Sequence, residues 1–185
     1  SKTYDYAVPG EGVQFRFSSY SEGGETVAHI VGYTSWNENG QGKESKDEIE
    51  TLNIPETVST TINNVDHEYL VTALDRIDAA DESGNANSLK IVNASSTRID
   101  TIGDGCFMGD LGLESVSLPS TLKTIEQSAF KDCPNLSTFS IPSSVTNLGT
   151  SCFENSGVKN VSIDNSGGLT VLPDYAFKNS ELQSI

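Results

Sequence analysis

Three cysteines, two histidines, one glycine-rich turn and several groups of carboxylates are the side chains of this 185-residue chain that could do chemistry. Cys106, Cys133 and Cys152 would act as nucleophile, metal ligand or disulfide partner. A cysteine nucleophile needs a histidine within hydrogen-bond reach, and zinc needs Cys/His pairs at short spacing. The two histidines supply neither: His29 shares strand parity with Val27, Val31 and Tyr33, and His67 falls in a turn. No H-E-x-x-H occurs, so no metal is expected. "GDGCFMG" (Gly103–Gly109) carries Met108 where a dinucleotide fingerprint needs glycine, and no lysine follows to make a phosphate loop. In "DAADESGNAN", Asp78, Asp81 and Glu82 miss the alternating oxygens of a calcium loop, and with "ESKDEIE" this stretch reads as a solvated loop. Glycoside hydrolysis needs two facing carboxylates, and nothing in the sequence nominates a pair. Asn93, Asn135 and Asn160 open glycosylation sequons, which matter only in a eukaryotic secretory pathway. No cofactor is expected.

The elements that must position these groups form a repeat. Phe107, Phe130, Phe153 and Phe177 are spaced by 23, 23 and 24 residues. Five positions before each stands an aliphatic, Ile102, Ile125, Leu148 or Leu172, and immediately before each a small residue, Cys106, Ala129, Cys152 or Ala176. Each unit opens on a strand-like phrase, "LESVSL", "LSTFSI" or "VKNVSI", with "LKIVNA" from Leu89 a weaker version. Pro119 and Pro142 close two of them at one register, whereas the fourth unit has Asp164 there and two extra residues in "DNSGG". A unit this short cannot bury its own apolar face, so a conserved period of this length marks a solenoid of stacked rungs. Leu113, Val116 and Leu118 then point inward with Leu122, Ile125 and Phe130, while Ser115 and Ser117 point outward. "IEQSAF" reads as a helical turn on the far side, and "KDCPN" returns the chain. Cys106 and Cys152 share one slot two rungs apart, about 10 Å at the spacing of neighbouring strands. That exceeds the roughly 7 Å a disulfide tolerates, so three buried, unbridged thiols are expected.

The pattern L-x-x-V-x-L-P-x-x-L-x-x-I-x-x-x-A-F-x-x-C, from Leu113 to Cys133, resembles the BspA-like class of leucine-rich repeats. Proline and serine stand where ordinary leucine-rich repeats place asparagine or cysteine after the strand. The likeness covers residues 89–185, the last repeat being incomplete because "LQSI" only begins a further strand. Upstream, "LNIPETVSTTINNVDHEYLVTAL" resembles the lead-in segment of such proteins: a strand ending in Ile-Pro, a turn, then a Tyr-x-Val-Thr strand. Leu74 takes the Ile125 slot, but no phenylalanine follows, so residues 51–88 form an irregular first repeat. Residues 1–50 read as a β-rich cap over the solenoid's apolar end. "GVQFRF" alternates Val13, Phe15 and Phe17 with polar residues, "TVAHIVGYT" is a second strand, and "SSYSEGGE" joins them as a hairpin. "SWNENGQGKESKDE" reads as an exposed polar loop. The expected fold is α/β and β-rich: a leucine-rich repeat solenoid of short strands and helical turns behind a β-hairpin cap. The resemblance implies an exported or surface-attached bacterial protein, non-enzymatic, of a class linked to adhesion to host matrix and other cells.

Charge and surface agree with that picture. With 26 acidic and 11 basic residues the net charge is −15, a field that repels nucleic acids and anionic membranes. No run of 18 apolar residues spans a bilayer, and "SKTYDYAVPG" has neither the basic start nor the apolar core of a signal peptide. The expected partner is an extracellular protein or glycan, met by the polar ladder face: Asn93, Ser115, Ser117, Thr138, Ser140, Asn160 and Ser162. Tyr20 and Trp36 are the aromatic candidates of the N-terminal region. End-to-end association through the uncapped last repeat is a further expectation. Two other readings stand beside adhesion: a structural spacer from a larger surface protein, and a glycan-active enzyme.

Overall fold

The computed structural model describes residues 3–8, 13–36, 42–43, 49–80, 88–163 and 168–183. Strands β1 (Thr3–Val8), β2 (Val13–Glu22) and β3 (Glu25–Trp36) form an antiparallel meander, and β4 (Gly42–Lys43) pairs with the end of β3. Gly23 and Gly24 adopt φ of 58° and 84°, as a two-residue hairpin turn requires. Val13, Phe15 and Phe17 point into the core as their alternation predicts. The partner strand does not keep one parity. Arg16 faces Gly32 while Phe17 faces Ile30, so Val31 is the extra residue of a bulge. Ile30 and Tyr33 are therefore both buried, and His29 stands on the opposite face from Tyr33 rather than beside it.

After β5 (Thr51–Asn53) come β6 (Thr57–Ile62) and β7 (Val65–Leu74), joined by Asn63 and Asn64, both left-handed at φ 51° and 63°. His67 thus lies in a strand, opposite Thr60, and not in a turn: the reversal is the Asn-Asn pair, which tolerates left-handed φ. Seven short strands follow: β8 (Ile91–Asn93), β9 (Thr101–Ile102), β10 (Ser115–Ser117), β11 (Thr124–Ile125), β12 (Thr138–Ile141), β13 (Asn147–Leu148) and β14 (Asn160–Ile163). The end of β7 runs parallel to β3 on one side and to β9 on the other, and β9, β11 and β13 continue the sheet. Hairpin and repeats therefore share one sheet. A second ladder comprises β5, β8 and β10, then β12 and β14, and it is divided between β10 and β12.

The third side of each rung is not helical. No helix occurs among the described residues, although Glu126, Gln127 and Ala129 are good helix formers. Ser128 and Asp132 are left-handed (φ 58° and 59°), and the same two places are left-handed in the other phenylalanine-bearing rungs: Gly105 and Gly109, Ser151 and Asn155, Tyr175 and Asn179. A left-handed residue every fourth position breaks the i to i−4 bonding of a helix and favours tight turns instead. Backbone amides then alternate. Lys131 N–H donates to Ser128 O within the turn (3.2 Å), while Phe130 N–H donates to Cys152 O of the next rung (2.8 Å). Asn155 Nδ2 donates to Asp132 Oδ1 and Asn179 Nδ2 to Asn155 Oδ1, lacing the turns along the solenoid.

Inside, the phenylalanines stand in single file. Phe107–Phe130, Phe130–Phe153 and Phe153–Phe177 each stack with centroids 5.4 Å apart at 15°, 5° and 2°. Phe139 of β12 meets Phe130 and Phe153 edge-on at 5.0 and 4.8 Å. Leu74, Ile102, Ile125 and Leu148 form one buried row, as their spacing predicts. Leu172, expected in that row, is 48% exposed in a stretch without strand pairing. Cys106, Cys133 and Cys152 are buried and unbridged.

Candidate binding surfaces

The β10–β8–β5 and β12–β14 ladders set the polar face. Thr51, Ile91 and Ser115 share one row, and Asn53, Asn93 and Ser117 the next. Thr138 pairs with Asn160 and Ser140 with Ser162. Asn93, Ser115, Ser140 and Asn160 are exposed and Ser117 is half-buried; the side chains of Thr138 and Ser162 lie outside the described residues. Asn93 Nδ2 donates to Asn53 Oδ1 at 2.8 Å. Sequence reading missed Asn53 and the exposed Ile91 on this face, because β5 belongs to the irregular first repeat. Where the ladder divides, a groove of about 430 Å³ opens between Ser117 and Ser140, with Val116, Leu118 and Pro142 as its apolar surface and Ser120 and Ser143 at its edge. The groove thus sets serine hydroxyls around an uncharged apolar floor.

A second concavity, about 460 Å³, lies where hairpin and repeats meet, lined by Asp75, Arg76, Thr101, Gly103, Asp104 and Glu126. Within it Gly103 packs closely on the preceding rung. Gly103 N–H donates to Leu74 O (2.7 Å) and Glu126 N–H to Ile102 O (2.9 Å), so Asp75, Gly103 and Glu126 succeed one another along the rungs. The middle position has no side chain, and a Cβ there would meet Asp75 Cα and Leu74 O at 3.0 Å. Burial raises the carboxyl of Asp75 above its ordinary range, opposed by the charge of His29; burial and then the charge of Asp104 raise that of Glu126. His29 Nε2 lies 2.7 Å from Glu22 Oε1 and its Nδ1 3.9 Å from Asp75 Oδ1. Tyr20 stacks on the imidazole with centroids 4.2 Å apart and is 37% exposed. Trp36 closes β3, but its side chain lies outside the described residues.

A third constellation is buried. Asp78, expected in a solvated loop, is 1% exposed and accepts a hydrogen bond from Tyr33 Oη at 2.5 Å. Its N–H donates to Cys106 O at 2.9 Å, just as Phe107 N–H donates to Ala129 O, so Asp78 holds the phenylalanine place of the first rung. Burial, then the charge of Asp78 and their hydrogen bond, hold the Tyr33 phenol well above its ordinary value. Burial likewise raises the thiols of Cys106 and Cys133 and pushes Cys152 up to about 12, which keeps all three protonated and unreactive as nucleophiles. The rest of the "DAADESGNAN" acids, residues 81–87, and most of "ESKDEIE", residues 44–48, lie outside the described residues. No group of three or more His, Cys, Asp or Glu that could hold a metal occurs among the described residues, and no helix there is long and apolar enough to cross a membrane.

The sequence profile described as "BspA type Leucine rich repeat region" matches residues 83–185 in six copies. Among solved structures, a leucine-rich repeat protein of Bacteroides ovatus superposes with a TM-score of 0.65 at 21% identity, over 91% of this chain and 39% of its own. The leucine-rich repeat protein of T. pallidum gives a TM-score of 0.64 at 21% identity, over 95% of this chain and 68% of its own. A third, from Bacteroides capillosus, gives 0.55 at 24% identity, over 82% of this chain and 94% of its own. Likeness at these identities speaks for the fold. No curated protein matches the chain.

Proposed function

The chain belongs to the BspA type leucine-rich repeat family, and on that footing we propose that it is a non-enzymatic bacterial cell-surface protein that holds an extracellular macromolecule, a protein first of all, against its strand ladders. The observation that carries this reading is the closed phenylalanine file, stacked at 5.4 Å from Phe107 to Phe177, which fills the interior of the repeats and leaves chemistry to the outer faces. The ladder groove between Ser117 and Ser140 is the concave part of the polar face, and its mixture of hydroxyls and half-buried Val116 and Leu118 suits a protein segment. The net charge of −15 weighs against polyanions. The surface location and adhesive role rest on the family resemblance.

The test is binding to a panel of immobilised extracellular-matrix proteins by surface plasmon resonance, comparing the chain with Ser140→Arg, Ser117→Arg and Trp36→Ala. Either arginine in the groove should weaken binding by about tenfold or more, as a bulky charge placed in an uncharged contact does. Equal affinity of all variants would sink the ladder-face reading. A second reading, contact with a further apolar rung edge, is favoured by the exposure of Val171 (71%), Leu172 (48%) and Tyr175 (59%) on the last described rung. It requires concentration-dependent association by light scattering, abolished in Val171→Lys.

A further inference from the structure

His29 ties the hairpin to the repeats through two carboxylates. It stands in β3 on the face opposite the core, with its side chain 20% exposed. Its Nε2 lies 2.7 Å from Oε1 of Glu22, the last residue of β2. Its Nδ1 lies 3.9 Å from Oδ1 of Asp75, just beyond the end of β7. Tyr20 covers one face of the ring at 4.2 Å, and Thr72 Oγ1 of β7 donates to the second oxygen of Glu22 at 3.4 Å. Asp75 N–H donates to Ile30 O at 2.9 Å, so these side chains reinforce a backbone bond between hairpin and first repeat. Among the described residues, the other charged groups of the packed elements are Arg16, which lies over Gly32, Glu25 at the start of β3, and Arg76, which lies over Gly105. From the repeats, Asp100 and Asp104 flank β9 and Glu126 follows β11.

A neutral imidazole carries one N–H and one bare lone pair. With the N–H on Nε2 and donated to Glu22, the lone pair of Nδ1 faces an ionised Asp75. With the N–H on Nδ1, the lone pair faces Glu22 at 2.7 Å. Neither neutral tautomer serves both acids. One further proton does, because an imidazolium donates from both nitrogens. Burial raises the carboxyl of Asp75, which also favours keeping that proton within the group. The proton therefore belongs to the three residues together rather than to one of them. No metal competes for them, since no group of three such residues able to hold one occurs among the described residues. We propose that Glu22, His29 and Asp75 form a proton-operated clasp that joins the hairpin to the first repeat and closes as the pH falls from about 8 to about 5. Ring and acids are apart in the opened chain, so the closed form binds the proton more tightly. The clasp's contribution is thus present on the acid side and is lost as pH rises through the titration of the closed group. The junction stiffens in mildly acidic surroundings and loosens in alkaline ones, whatever the ladder face binds.

The test is an NMR pH titration of the Cε1–H signals of the two histidines, with His67, opposite Thr60 on β7, as internal control. Asp75→Asn and Glu22→Gln should each move the His29 midpoint to lower pH by about half a unit or more, roughly a threefold loss of proton affinity. The His67 midpoint should stay in place in both. The two carboxylates are 40% and 41% exposed, so the variants keep the fold, which the dispersion of their spectra reports. Hydrogen exchange gives a second readout. Protection of the Asp75 amide, corrected for intrinsic exchange, should fall about threefold or more between about pH 6 and pH 8 in the parent chain and stay level in His29→Gln. The clasp is overturned by an unmoved His29 midpoint in either carboxylate variant. It is equally overturned if the protection is independent of pH in the parent chain, or falls as much in His29→Gln.

Discussion

Removing the ring of Phe130 tests the architecture most directly. Its side chain is fully buried between Phe107 and Phe153, each stacked at 5.4 Å, with Phe139 edge-on at 5.0 Å. A buried phenylalanine cut to alanine costs about 3–5 kcal/mol, transfer and cavity together. Three aromatic partners put Phe130→Ala near the upper part of that range, at about 4 kcal/mol, since each such pair adds about 0.5–1.5 kcal/mol beyond area. Phe177 offers the internal comparison. It is only partly buried and stacks on Phe153, so Phe177→Ala should cost about 1–2 kcal/mol. For a chain of this size each kcal/mol moves the melting temperature by roughly 2–4 °C, so the two variants should differ by about 5–10 °C. Urea unfolding followed by far-ultraviolet circular dichroism gives the free energies, and equal m-values confirm that the same structure is being lost. Equal costs for the two substitutions, or a cost below about 2 kcal/mol for Phe130→Ala, would refute the stacked file as the centre of the core.

Further outcomes follow from other contacts. Gly149→Ala and Gly157→Ala should each destabilise by more than about 2 kcal/mol in urea titrations, because a methyl would overlap the Glu126–Gln127 backbone in the first case and the Pro134 carbonyl oxygen in the second. Tyr33→Phe removes the hydroxyl that donates to buried Asp78 and should cost about 1.5–3 kcal/mol near neutral pH. Because burial beside Asp78 holds the folded phenol above its ordinary value, the unfolded chain loses that proton first as pH climbs. Stability from this group is therefore intact below pH 10 and declines above it, and Tyr33→Phe should flatten the decline measured by urea midpoints between pH 9 and about 11. A thiol reagent at pH 8 should modify no cysteine of the folded chain within minutes and all three in guanidinium, since the thiolate is the reacting form and burial suppresses it. Glu126→Gln should not lower stability at neutral pH. Its folded carboxyl is raised, so ionisation opposes folding above that value, and the difference from the parent chain should vanish in acid.

What the sequence discloses here is whatever repeats. The phenylalanine spacing dictates the single file, and the shared slot of Cys106 and Cys152 dictates unbridged thiols; both depend only on period. The far-side turns were misleading because "IEQSAF" has helical propensity, while the left-handed Ser128 and Asp132 that forbid a helix have no single residue type: Gly, Ser, Asp, Asn and Tyr all occupy those places. Parity failed at His29 because one bulged residue, Val31, inverts every side chain beyond it. Asp78 was legible only as a loop acid. It follows Leu74 by four positions where the phenylalanines follow their aliphatic by five, and its partner Tyr33 is 45 residues away. The junction notch likewise gathers residues of three rungs, from Asp75 to Glu126, which no linear motif brings together.

The pairing of rungs through bonds that point along the solenoid, such as Phe107 N–H to Ala129 O, has a mechanical meaning. Tension pulling the two ends apart loads those bonds lengthwise and one rung at a time, as in opening a zipper, not many at once as in sliding strands. Each rung that yields pays out 23 residues of slack, about 80 Å of extended chain. A molecule of this design lengthens in steps under load.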